Sequence, residues 1–473
     1  MLIVAANLLS LLILLLFAHS RWRATHSWLE PGIVFAANLI LLYPVRGLTI
    51  LFLGEPIYPA AAEPKNLLFV SSLAVIGCLG FVVGYLAVIR RHPLAVLEKA
   101  REPVHPDDMA VCVAFFVVSL AGIAYQIATG DYMSYLISEN RIEGLTQIGT
   151  LLAGLQWPAF IAAWVLWFRG LRTPSFVGLF VVIQVVVIPY QFLQGSKTFL
   201  SLLLVSVIAA FYWSRRRVPR IAALTAVAVV VLFVFPFVQG FRNFVNTEYG
   251  VIPSLSALDL RALTAVTDDE QADSGTALDR GLAISARYGG MDELYSMTQL
   301  VPGQLSYRYG TEYGLVLLNV VPRMVWPSKP SISRAATYGA SLGTITAVTP
   351  FPFGEAYWDM GVSGVLLSMF VWGACLAGLT RMYSWFYELP GLSFFVGTYF
   401  LSQIYWIAGG ETSMPAVISM LPQQAVILLC LYHGLRALGR LTPGRGNWAV
   451  GMRPRTWRSH SPGSAESLGG QAL

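Results

Sequence analysis

Charge is scarce in this chain. Of its 473 residues 12% are Asp, Glu, Lys or Arg and 56% are hydrophobic, with a mean hydropathy of +0.63. A soluble domain carries about 25% charged residues, so an ordinary soluble enzyme is excluded. Cysteine is scarce as well. The four cysteines (Cys78, Cys112, Cys375 and Cys430) all fall inside apolar runs, which leaves no disulfide framework and no cysteine metal site. The weak ten-residue alternation of an outer-membrane barrel is missing too. At the start of the chain no basic n-region and no clear cleavage site accompany the first apolar run, so it reads as a retained helix and not a signal peptide.

What is present is a series of apolar runs long enough to cross a bilayer, about eleven of them (10–12 allowing for their boundaries). They lie near 2–18, 32–53, 67–89, 109–128, 148–168, 175–193, 198–213, 221–240, 361–387, 392–408 and 413–435. Backbone inside lipid must satisfy its own hydrogen bonds, so these runs are expected to be helices. The predicted fold is an all-α polytopic integral membrane protein with one large outward-facing loop. Residues 1–240 form the N-terminal transmembrane helices and 241–360 the loop, docked on the bundle. Residues 361–440 form the C-terminal transmembrane helices, and the Gly-, Pro-, Ser- and Arg-rich tail 441–473 has little to bury.

The net charge of +6 follows topology and gives no nucleic-acid signal. Basic residues gather in alternate loops: Arg21 and Arg23; Arg90, Arg91, Lys99 and Arg101; Arg169 and Arg172; Arg215, Arg216, Arg217 and Arg220; Arg381; and Arg436 onward. By the positive-inside rule these loops are cytoplasmic, which turns the long loop and the Lys197 turn outward. The six histidines then all lie on or near the cytoplasmic side, and no DxD triplet occurs in the outer loop. Zinc hydrolysis, Ser–His catalysis and a nucleotide-sugar metal site on the outer face are thereby disfavoured. Charge within the spans is almost absent, which argues against a proton-coupled transporter.

The insertion carries eight Arg or Lys against twelve Asp or Glu, so individual cations matter more than the total. Arg242 follows a span directly, and Arg323 sits in Val321-Pro322-Arg323-Met324-Val325-Trp326 beside Lys329. A guanidinium at headgroup depth can fork onto a lipid phosphate, and it also suits a plain interfacial anchor. Ser196 and Lys197 stand where an apolar helix begins, a place where free N–H groups, a hydroxyl and an ammonium make a phosphate cradle; a lone interfacial lysine fits equally. Glu355 and Asp359 are four apart in Phe353-Gly354-Glu355-Ala356-Tyr357-Trp358-Asp359, one face of a helix, with Tyr357 and Trp358 able to stack on a sugar. Such carboxylates can orient or deprotonate a hydroxyl, and they are also ordinary helix-start residues. The apolar stretch Tyr313–Trp326 is too short to span and is expected at the bundle mouth.

The motifs Gly195–Leu200 (GSKTFL), Phe241–Phe244 (FRNF), Tyr307–Pro330 (YRYGTEYG…VPRMVWPSKP) and Phe351–Gly364 (FPFGEAYWDMGVSG), together with the span pattern, resemble those of Wzy-type oligosaccharide repeat-unit polymerases of O-antigen and exopolysaccharide. The resemblance implies a GT-C-like enzyme of the bacterial cytoplasmic membrane, active on its periplasmic face. It would transfer a growing glycan from undecaprenyl diphosphate onto the next lipid-linked repeat unit, without cofactor, ATP or nucleotide sugar. Outward-loop arginines of the family map onto Arg242 and Arg323; combined with the residue reading above, Glu355 or Asp359 would position or deprotonate the acceptor hydroxyl. Lys197, Ser196, Arg308, Lys329, Tyr357 and Trp358 would bind substrate. A chain-length regulator and a flippase of the same pathway are the implied partners. The alternatives are an O-antigen ligase, disfavoured by a loop without histidine, and a lipid-linked oligosaccharide flippase or exporter, disfavoured by spans almost without charge.

Overall fold

The computed structural model describes residues 1–54, 56–89, 106–129, 143–194, 197–215, 289–311, 334–343, 348–387, 393–408 and 414–439, and the single positions 225, 228, 229, 313, 314, 321 and 326. Every regular element among them is helical. In chain order these are α1 (Leu2–Thr25), α2 (Pro31–Leu53), α3 (Pro64–Val88), α4 (Pro106–Thr129), α5 (Glu143–Ala153), α6 (Gln156–Phe168), α7 (Pro174–Leu193), α8 (Lys197–Arg215), α9 (Gly290–Leu300), α10 (Ala335–Ser341), α11 (Phe351–Tyr387), α12 (Ser393–Ala408) and α13 (Met414–Ala437). Seven stretches among the described residues are long and apolar enough to cross a membrane: α1, α2, α3, α4, the end of α5 with α6, α7 and α11. The chain is a multi-pass helical membrane protein.

Two apolar cores organise it. One joins α1, α2, α3, α9 and α11; the other joins α4, α6, α7, α8, α12 and α13. Within the first, α3 and α11 meet backbone to backbone. A Cβ on Gly80 would lie 2.6 Å from the Leu366 carbonyl oxygen, and one on Gly373 only 2.2 Å from that of Phe81. Small residues in such register let membrane helices gain dispersion contact where no hydrophobic force separates helix from lipid.

Three departures from the sequence reading have local causes. α2 passes through a π-turn at Leu41–Val45 that contains Pro44, whose missing N–H removes one helical bond. The ninth apolar run does not begin at Gly361; the helix starts at Phe351 and is broken at Met360 (φ −151°, ψ 30°) and Gly361 (φ 63°, ψ −138°). Arg21 was expected in a cytoplasmic loop. It sits instead in the last turns of α1, buried, with Nε 3.1 Å from Glu30 Oε1, while the Tyr85 hydroxyl donates to the same oxygen. The run 221–240 and the stretch 242–288 fall outside the described residues, apart from positions 225, 228 and 229.

Candidate functional site

The sequence Phe351-Pro352 opens α11 with proline at a position that has no helical donor to lose. The Phe353 N–H donates to the Tyr43 hydroxyl at 2.9 Å, and the two rings stack with centroids 3.8 Å apart. Anchored this way, the first turns turn Glu355 and Asp359 to one side. Both are buried, at 2% and 0% exposure. Arg334, at the entrance to α10 and itself 1% exposed, lies against them. Its Nη2 donates to Asp359 Oδ1 at 2.7 Å and its Nη1 to the Glu355 carbonyl at 2.9 Å, and Nε stands 3.8 Å from Glu355 Oε1. Ser368 donates to the second Asp359 oxygen at 3.2 Å.

The helix break deprives the Trp358 and Asp359 carbonyls of their intrahelical donors. The segment 306–310 supplies replacements: Arg308 N–H reaches the Trp358 carbonyl at 3.1 Å, and Tyr309 N–H that of Asp359 at 2.9 Å. The Trp358 indole N–H returns a bond to the Ser306 carbonyl at 3.1 Å. To make this contact Tyr309 and Gly310 both adopt positive φ, 51° and 68°, which glycine accommodates freely and tyrosine only under strain. Arg308 is thereby held with Cζ 5.0 Å from the Trp358 ring centroid, while Arg334 Cζ is 5.6 Å from the same ring. Partial burial, and then the charge of Arg334, lower the proton affinity of Arg308, which Asp359 opposes.

Beside Arg308, Tyr307 borders an open cavity of about 760 Å³ between α3 and α11. Ile76 and Leu79 form one wall, and Tyr357, the break at Met360–Gly361 and Leu366 the other. The lining is mostly apolar, and Leu79, Val362 and Leu366 on its rim are exposed.

A second polar knot lies at the start of α9. Arg46, just past the π-turn of α2, donates from Nε to Asp292 Oδ2 at 2.7 Å; the Ile57 N–H takes the other oxygen at 2.8 Å. Glu293 accepts from the hydroxyl of Tyr338 in α10 and, at 3.4 Å, from that of Tyr58. Burial, with Asp292 adding to it, pushes the Glu293 carboxyl up to about 7 although both tyrosines oppose the shift. Between the unfolded value near 4.5 and about 7 the folded state therefore holds a proton that the unfolded state has released, and stability falls as pH rises through that window. Glu293→Gln is expected to flatten this part of the Tm-against-pH curve and to raise Tm at pH 8, the gain in stability being on the order of 3 kcal/mol. A wild-type Tm that does not fall between pH 5 and 7.5, or a variant with the wild-type slope there, would refute it.

Of the residues singled out from sequence, Glu355, Asp359, Trp358, Tyr357 and Arg308 are brought together. Trp358 is 1% exposed under the guanidinium groups, whereas Tyr357 lines the cavity. Lys197 opens α8, but its side chain lies outside the described residues, as do Arg242, Arg323, Lys329 and Ser196. Sequence reasoning missed Arg334, Arg46, Glu293 and Tyr338 as site residues. Only Arg46 left a signal, a lone cation inside an apolar run. No set of three or more His, Cys, Asp or Glu side chains able to hold a metal occurs among the described residues.

A family model described as Domain of unknown function (DUF8712) matches residues 71–402, from inside α3 to inside α12. No curated protein matches the chain, and no solved structure does.

Proposed function

We propose, taking as premise that the chain belongs to the DUF8712 family, that it is a glycosyltransferase which polymerises undecaprenyl-diphosphate-linked repeat units on the outer face of the bacterial cytoplasmic membrane. In this reading the fold is GT-C-like, with about eleven spans. The observation that carries it is the juxtaposition at the α11 break: an open apolar cavity beside an arginine and, behind it, buried carboxylates held by a second arginine. A lipid-linked sugar needs these three environments together, hydrocarbon for the chain, cation for the diphosphate and acceptor groups for the hydroxyls.

The chemistry follows from these groups. The donor's anomeric carbon–oxygen bond to the diphosphate breaks, and the acceptor hydroxyl oxygen bonds to that carbon. Arg308, with Arg242, Arg323 and Lys197 from the outer segments, offsets the charge that develops on the departing diphosphate. A carboxylate takes the hydroxyl proton. Glu355 and Asp359 both stand against Arg334 on one face of α11, so one of them takes the proton while the other positions the hydroxyl.

The test is the glycan ladder of cells lacking the protein, rescued with wild type, Arg308→Ala or Arg323→Ala at matched membrane levels. Single repeat units in the deletion, and on the order of 100-fold less polymer with either variant, are expected. Long polymer that still forms but stays on its lipid carrier would instead indicate a ligase.

A further inference from the structure

The segment that caps the α11 break holds a side chain that the capping does not need. Tyr309 and Gly310 turn the chain with φ 51° and 68°, and the N–H groups of 308 and 309 thereby meet the vacated carbonyls. Glycine would make that turn at 309 without strain, as it does at 310. A tyrosine stands there instead and is 70% exposed, so its ring gains little packing to offset a left-handed backbone. Local strain of this kind, with no return to the fold, marks a position for a role outside it.

The neighbours of the ring indicate what it can hold. Tyr307 lines the α3–α11 cavity together with Tyr357. It also packs on the break, where a Cβ on Gly361 would lie 3.2 Å from its hydroxyl oxygen. The Tyr309 ring stands against that of Tyr307, with centroids 5.9 Å apart and planes inclined at 55°. Between them in sequence, Arg308 is held over Trp358, its Cζ 5.0 Å from the ring centroid. One short segment thus brings an open aromatic face and a guanidinium to the side of an open, mostly apolar cavity of about 760 Å³.

We propose that Tyr309, backed by Tyr307, is the stacking platform for the pyranose ring of a lipid-diphosphate-linked sugar, a role that rests on the transferase reading and adds a sugar subsite to it. The lipid chain enters the cavity, the diphosphate meets Arg308, and the first sugar lies on the exposed tyrosine face. A pyranose presents an apolar face of C–H groups, whose partial positive charge suits the negative face of a phenol ring. Such a platform selects for a sugar with a flat apolar face and not for one pattern of hydroxyls. A tyrosine that only anchored the chain at the membrane interface would have no use for the left-handed backbone.

The test uses the full chain in phosphatidylcholine nanodiscs and compares farnesyl diphosphate with farnesyl diphosphate bearing glucose, galactose or N-acetylglucosamine, by titration calorimetry. In the wild type at least one sugar-bearing probe is expected to bind about threefold or more tightly than farnesyl diphosphate itself. Tyr309→Gly is expected to erase that ratio, to leave the affinity for farnesyl diphosphate unchanged, and to melt at the wild-type temperature or above. Tyr309→Phe, which keeps the ring, is expected to retain the ratio. Equal binding of all probes in the wild type, or a ratio that survives in Tyr309→Gly, overturns the platform and leaves the transferase reading standing. A lowered Tm in Tyr309→Gly overturns it as well, because the ring would then serve the fold. If no probe binds saturably, the platform and the transferase reading fall together.

Discussion

Arg334→Met is expected to cost about 3–5 kcal/mol of stability, because removing one member of a buried ion pair leaves its partners charged and unsolvated. Glu355 and Asp359 are 2% and 0% exposed, and the Asp359 contact to Arg334 is 2.7 Å long. Methionine fills much of the arginine's volume, so the loss would be electrostatic and not a cavity. The companion variant separates the two. Arg334→Met combined with Glu355→Gln and Asp359→Asn removes the stranded charges and is expected to recover most of the lost Tm. Thermal unfolding of the full chain in one detergent reads both. If Arg334→Met melts within about one degree of wild type, the cluster does not hold the fold together. If the triple variant melts no higher than the single one, the cost lies in packing and not in unpaired charge.

Half of this cluster was legible in the sequence. Glu355 and Asp359 are four apart, so any helix through them puts both on one face. Arg334 precedes them by more than twenty positions in a Ser- and Pro-rich stretch, and its partnership depends on where α10 docks. Nothing local encodes that. Arg308 could be read as a cation near aromatic residues, but its position depends on the α11 break, whose vacated carbonyls receive the backbone of 308 and 309. The break itself has a local mark, Gly361, yet a glycine between apolar residues also occurs in unbroken membrane helices.

The helices were more legible than the site for a physical reason. Length and hydropathy report transfer into lipid, which each segment makes largely on its own. Thus α3, α4, α7 and α8 lie within a few residues of the runs at 67–89, 109–128, 175–193 and 198–213. α1 runs on past its apolar stretch to Thr25 because Arg21, the residue that should have ended it, is neutralised by Glu30 across the turn. Arg46 survives inside α2 in the same way, through Asp292, a residue 246 positions away. The cation inside a helical span is visible in the sequence, but a partner that distant is hidden from local reading.

The second large effect lies in the α3–α11 seam, where the contact is between backbones. A Cβ on Gly84 would stand 2.0 Å from the Phe370 carbonyl oxygen and 2.8 Å from its Cα. No rotamer relieves that overlap; one helix must move. The same seam carries Gly80 against Leu366 and Gly373 against Phe81, so a shift at Gly84 forfeits dispersion along its whole length. It would also disturb Tyr85, whose hydroxyl holds Glu30, and the cavity wall formed by Ile76 and Leu79. Gly84→Val is therefore expected to lose at least the roughly 1–3 kcal/mol typical of overpacking. Gly178→Ala is the matched control. That glycine is inside α7 with nothing within 4 Å of a built Cβ, so alanine there should be neutral or stabilise by up to about 1 kcal/mol through helix propensity. Thermal unfolding of both variants decides. A Gly84→Val protein that melts with wild type would mean that α3 and α11 are held apart by something softer than backbone, and the cavity at their junction would then have no fixed walls.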